Sequence, residues 1–185
     1  MDSIRQAVNQ CKKCDLHLTK KNYVFGEGIE TAKIMFIGEA PTSTEDNEGR
    51  LFVGRAGKIL EELLASINLQ RGDIFIADIL KCRPPENRAP KPNEVAMCTP
   101  YLDAQIEIIK PKVICTIGYF ATHYILKKYG INDKAEGISK LHGKKFKART
   151  ITDTITIMPF YHPAVATYSP EMKKILLKDL KGLNE

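Results

Sequence analysis

AKIMFIGEAPTSTEDNEGRLFVGRAGKILEELLASIN, residues 32–68, decides the fold. Its first part, AKIMFIG (32–38), is a short apolar run closed by Gly38, the pattern of a buried strand. Its last part, GKILEELLASIN (57–68), has apolar residues at 59, 60, 63, 64 and 67, the stripe of an amphipathic helix. Between them lies a polar loop with Pro41 and a lone Phe52 close to Gly54 and Gly57. Such a loop spends residues on backbone shape and few on packing, as binding loops do.

The same order recurs along the chain. DIFIADIL (73–80) precedes a helical pattern over 93–110 that contains Pro100. KVICTIG (112–118) precedes YFATHYILKKY, and TITIMPF (154–160) precedes a helix starting at Pro170. Residues 2–9 add a helix at the start. Four strand-then-helix units predict an α/β fold with a central parallel sheet. Ligands of such sheets bind outside the carboxyl ends of the strands. Those ends carry GEAPT, DILKCRPPENR, TIGYF and YHPA.

Length and composition set the bounds. A chain of 185 residues with 43% apolar content reads as one domain with a full core. No apolar run approaches the ~20 residues of a membrane span, and MDSIRQAVNQ has no signal-peptide core. The expectation is an intracellular protein with no membrane partner. Basic residues exceed acidic ones, 28 to 22, which is compatible with nucleic acid. KLHGKKFKAR (140–149) concentrates five Lys or Arg and reads as a solvated hairpin or loop able to hold phosphate.

Cys11 and Cys14 form a C-x2-C pair, and Cys82 and Cys98 follow downstream. Four thiolates on segments that can converge suit a metal or iron–sulfur site, and the spacing alone does not separate zinc from a four-iron cluster. Cys115 sits inside an apolar strand and reads as core packing. His162, in YHPA, stands at a strand's carboxyl end as a candidate proton donor or base. Phe52 is either a core anchor or a platform for a planar base. Asp78 ends the second strand, where its carboxyl either points into the cleft or makes a loop hydrogen bond.

Taken together, GEAP with its acidic loop, LFVGRAG, KCRPPENRAPKP, KVICTIG, KLHGK and YHPA resemble the family 4 uracil-DNA glycosylases. The resemblance runs from CKKC to the last helix. It implies a three-layer α/β/α fold around a four-stranded parallel sheet, spanning 1–185 as a single domain with an N-terminal iron–sulfur-binding segment. It implies hydrolysis of the N-glycosidic bond of uracil in DNA after base flipping. It also implies a structural 4Fe-4S cluster on Cys11, Cys14, Cys82 and Cys98. Phe52 matches the stacking residue and His162 the histidine that donates to uracil O2. The turn from Glu39 to Thr42, with Ala40, would offer N–H groups to uracil oxygens.

Other uracil glycosylases place an Asp where this chain has Ala40. Glu39 is then the candidate to position water, with Asn87 second. The chain departs from the family at Thr42, commonly Gly, and at Asp78, usually Asn. Arg55, Lys81, Arg83, Arg88, Lys140 and Lys144 are candidate phosphate contacts, and Tyr168 a candidate wedge at the duplex. The expected partner is uracil-containing DNA, single- or double-stranded, bound by a monomer. Rival readings are a glycosylase of broader deaminated-base scope and a non-catalytic iron–sulfur protein that binds nucleic acid.

Overall fold

A computed structural model describes residues 1–131, 136–150 and 153–184. The elements run α1 (Asp2–Asn9), α2 (Leu16–Thr19), β1 (Glu27–Gly28), β2 (Ile34–Gly38), α3 (Ser43–Glu48), α4 (Gly54–Ala65) and β3 (Phe75–Asp78). They continue α5 (Pro92–Ile109), β4 (Val113–Ile117), α6 (Gly118–Lys128), α7 (Ile138–Leu141), β5 (Phe146–Arg149), β6 (Thr154–Phe160) and α8 (Pro170–Lys181).

Among the described residues the strands form one sheet in the order β1-β3-β2-β4-β6-β5. The four central strands are parallel, as the repeated strand–helix order requires. The expectation of four strands is met at the centre and extended at both edges. Each added strand, β1 on β3 and β5 on β6, is antiparallel. Neither edge had a clear signal. β1 is two residues long, and β5 exposes Lys147 and Arg149 while burying Ala148. The basic run 140–149 is therefore the end of α7, a turn and the edge strand β5, which runs antiparallel to the β6 that follows it.

Side chains alternate across the sheet with the period of two that strands impose. Met35, Ile37, Phe75, Ala77 and Ile157 face one core with Leu102 and Ile106 of α5 and Ile125 of α6. Phe36, Ile76, Ile117 and Phe160 face the other with Leu60, Leu63 and Leu64 of α4 and Leu176 and Leu180 of α8. This is a three-layer α/β/α stack. Each fully buried Leu or Phe contributes about 1.5–3 kcal/mol. Cys115 is buried in the second core, as its apolar strand suggests.

Candidate active site

The central strands end together. Gly38 of β2 pairs with Asp78 of β3, and the chains stay joined beyond the strands. The Ile79 N–H donates to the Gly38 carbonyl at 3.0 Å and the Leu80 N–H to the Glu39 carbonyl at 3.1 Å. A Cβ at Gly38 would stand 2.3 Å from Asp78 Oδ1 and 3.8 Å from Phe52 Cε2. A side chain here would push aside the Asp78 carboxyl, which lies across Gly38 beside the Phe52 ring. Asp78 is 3% exposed, and its carboxyl accepts no hydrogen bond from a described residue. Burial pushes its pKa well up; Glu45 and Glu39 push the same way and the Lys81 ammonium opposes them.

Phe52 is buried with φ of 50°, in the left-handed region that non-glycine residues seldom occupy. Its neighbours hold that conformation. The Phe52 N–H donates to Glu45 Oε1 at 2.5 Å. Arg71 Nη1 donates to the Phe52 carbonyl at 3.1 Å and Nη2 to the Leu51 carbonyl. Arg71 is in turn ion-paired with Glu27, which also binds Arg50 at 2.9 Å. Gly57 completes the cradle: a Cβ there would stand 1.7 Å from the Phe52 carbonyl oxygen.

Glu45, Arg71 and Glu27 were missing from the sequence reading. Glu45 had a legible signal, because Thr42-x-x-Glu45 is a capping-box pattern. Arg71 and Glu27 had none, since their contact spans 44 positions. Glu45 Oε2 accepts from the Thr42 N–H at 2.8 Å and from Thr42 Oγ1 at 2.7 Å. This corrects the expectation for the 39–42 turn. The Thr42 N–H is already engaged and Pro41 has none, so the turn's donors narrow to Glu39 and Ala40.

His162 follows β6 and is half-buried. Its Nδ1 accepts the Ala164 N–H at 3.2 Å. An accepting Nδ1 places the proton of the neutral ring on Nε2. Burial lowers the His162 pKa, against a smaller opposing pull from Glu45. The His162 and Phe52 rings lie nearly parallel, 18° apart, with centroids 5.7 Å apart. A base sandwiched between two rings needs about 3.4 Å on each side, more than this gap gives. A planar ring stacked on Phe52 would therefore have to lie beside the imidazole and not between the two rings. Glu39 and Ala40 are half-buried at the same edge of the sheet, and burial raises the Glu39 pKa.

The other expected residues divide. Asn87 is exposed, has φ of 53°, and accepts from Arg83 Nε at 2.8 Å. Arg88 is committed to Glu94 through two hydrogen bonds, 2.9 and 2.6 Å. Lys81 does not face solvent. It is 1% exposed, and its Nζ donates to the Asp78 main-chain carbonyl at 2.9 Å and to Gln105 Oε1 at 2.8 Å. A lysine in a polar loop reads as a phosphate contact, but here the four side-chain methylenes are packed inward and two oxygens receive the ammonium. Arg55, Lys140 and Lys144 are exposed. Tyr168 is 86% exposed, at the end of the turn that begins with His162.

Cys11, Cys14, Cys82 and Cys98 line one cavity together with Tyr23 and Tyr101. The Lys81 N–H donates to Cys98 Sγ at 3.2 Å, and Tyr23 Oη donates to the Cys11 carbonyl at 2.6 Å. Burial pushes the Cys82 thiol up to about 12 and the Cys98 thiol up to about 11. Among the described residues, no group of three or more His, Cys, Asp or Glu side chains is arranged to hold a metal ion. No helix among them is long and apolar enough to cross a membrane.

Fold and site together define an α/β protein that gathers an aromatic ring, a neutral imidazole and a buried carboxyl at the carboxyl edge of a parallel sheet. The chain belongs to the uracil DNA glycosylase superfamily, whose family model matches residues 25–181. It is 46% identical to a type-4 uracil-DNA glycosylase of Sulfurisphaera tokodaii, covering 100% of this chain and 84% of the relative. It is 46% identical to one of Saccharolobus solfataricus, covering 100% and 85%. A third, from Archaeoglobus fulgidus, is 43% identical over 100% of this chain and 92% of its own length.

Proposed function

We propose that this protein hydrolyses the N-glycosidic bond of uracil in DNA, leaving an abasic site, as a step of DNA repair. The full-length similarity to type-4 uracil-DNA glycosylases supports the activity. One observation carries the chemistry: Phe52 and His162, 110 positions apart, meet as adjacent near-parallel rings with the imidazole proton fixed on Nε2.

Uracil in a duplex is stacked and paired, so the base must leave the helix, at a cost of a few kcal/mol by order of magnitude. Phe52 receives one face of the extruded base. As the bond to C1′ breaks, positive charge develops on the sugar and negative charge on the uracil ring. His162 Nε2–H donates to uracil O2 and stabilises that anion. A preorganised donor of this kind contributes about 3–4 kcal/mol. Water adds to C1′, and Glu39 positions it, with Asn87 as the second candidate. Against a developed sugar cation a strong base is not required. Ala40, Thr42 and Asp78 border the base; Arg55, Arg83, Lys140 and Lys144 meet phosphates, Arg88 being held by Glu94; and Tyr168 presses into the duplex. Lys81 is excluded from the phosphate set by its burial.

Four cysteines line one cavity with a main-chain N–H on Cys98 Sγ; they are not gathered about a single ion, and a 4Fe-4S cluster, which takes one thiolate on each iron, is the group whose donor set they match. When bound, the cluster supplies a structural cross-link. Cys11 and Cys14 then tie the N-terminal segment to Cys82 and to Cys98 on α5, and so steady the loop carrying Arg83 and Asn87. The enzyme works as a monomer of one domain on single- or double-stranded DNA.

His162→Ala tests the assignment. Uracil release from a labelled oligonucleotide should fall about 10²–10³-fold while DNA binding, read by fluorescence anisotropy, is retained. Equal and negligible release by both proteins would show a binder without catalysis.

A further inference from the structure

Asp78 carries the furthest-reaching feature of the pocket. Its carboxyl is buried at the end of β3, lies across Gly38 beside the Phe52 ring, and takes no hydrogen bond from a described residue. Lys81, the nearest cation, gives its Nζ proton to the main-chain oxygen of Asp78, not to the carboxyl. The charged groups that face it are Glu45 from α3, Glu39 from the turn after β2 and Lys81 from the loop after β3. Desolvation and two neighbouring carboxyls favour the protonated form of such a carboxyl. Its pKa is raised well above the ordinary range.

We propose that Asp78 reads the Watson–Crick edge of the extruded pyrimidine as a neutral carboxylic acid, and that the pocket therefore admits cytosine as well as uracil. The proposal rests on the uracil-excision reading given above. A neutral carboxyl presents one acceptor and one donor. Toward uracil, its C=O accepts from N3–H and its O–H donates to O4. Toward cytosine, its O–H donates to N3 and its C=O accepts from the N4 amino group. The two oxygens exchange roles by moving one proton, with no rotation of the side chain. An amide at this place has fixed ends and must turn over against Gly38 to do the same. An ionised carboxylate satisfies neither base, since its second oxygen faces O4 of uracil or N3 of cytosine.

For cytosine the same proton assists departure. The C1′–N1 bond breaks with its electron pair on the base, Asp78 passes its proton to N3, and cytosine leaves neutral. Water adds to C1′ and its proton returns to the Asp78 carboxylate, so atoms and charge balance.

The test uses single-stranded oligonucleotides carrying one uracil or one cytosine and no other cytosine, with released base identified by mass spectrometry. Wild-type protein should release both bases above a no-enzyme control. Asp78→Asn should shift the cytosine-to-uracil ratio by at least about tenfold, because fixed amide ends favour one base. Uracil release with no cytosine release overturns the inference and leaves the uracil reading intact. So does an Asp78→Asn ratio equal to that of wild type. Release of neither base overturns the uracil reading and this inference with it.

Discussion

Gly57→Ala is the sharpest test of how the Phe52 platform is built. Gly57 lies in α4, where alanine is ordinarily the better residue by about 1 kcal/mol. On helix propensity alone the substitution stabilises. The cradle predicts the opposite. The new Cβ would stand 1.7 Å from the Phe52 carbonyl oxygen, so the backbone must retreat by more than an ångström. That oxygen accepts from Arg71, and the Phe52 N–H is bound by Glu45, so the retreat strains both hydrogen bonds.

The contact is main chain, not a flexible side-chain tip, which places the cost at the upper end of about 1–3 kcal/mol. Subtracting the helix gain leaves about 2 kcal/mol of destabilisation. For a chain of this length that is a fall of roughly 4–8 °C in Tm. A reacting group displaced by ~1 Å loses about a hundredfold in rate, and kcat/KM for uracil release should fall by that order. Gly72→Ala is the control, because nothing lies within 4 Å of its added Cβ. Thermal melting and a single-turnover release assay read both variants. A Gly57→Ala protein that melts and reacts like wild type, or a Gly72→Ala protein that falls equally, refutes the reasoning.

Two further expectations concern the cysteine cavity and the DNA surface. Cys82→Ser should strip iron from the purified protein, abolish its visible absorbance and lower Tm, measured by metal analysis and melting. Zinc in place of iron in the wild type would sink the cluster. Lys144→Ala and Arg55→Ala should each reduce the slope of log K against log salt by about 1, while Lys81→Met leaves the slope unchanged and melts lower. A slope change in Lys81→Met would contradict the burial of that ammonium.

The parts of the site that were legible in sequence are those set by local pattern. Strand ends follow from short apolar runs, and GEAP, Asp78 and His162 sit at them, while Phe52 stands out as a lone aromatic in the loop before α4. The cysteine set is legible because C-x2-C pairs with two later cysteines, and all four do share a cavity. What escaped depends on distant partners. Arg71 looks like any surface arginine until Glu27 and the Phe52 carbonyl are placed beside it. Lys81 looks solvated until Gln105 approaches from α5, 24 positions away. The edge strands escaped for a different reason. Half-exposed or very short, they lack the apolar run that marks a central strand.

The left-handed backbone of Phe52 has a consequence for the order of events on DNA. Its N–H and carbonyl are both tied to charged side chains before any substrate arrives. The ring therefore loses little freedom when a nucleotide docks on it, and free energy gained from phosphates goes to pulling the base from its stack instead of ordering the receiver. With the Phe52 backbone already held, the slow element of encounter would belong to the nucleic acid and not to the protein.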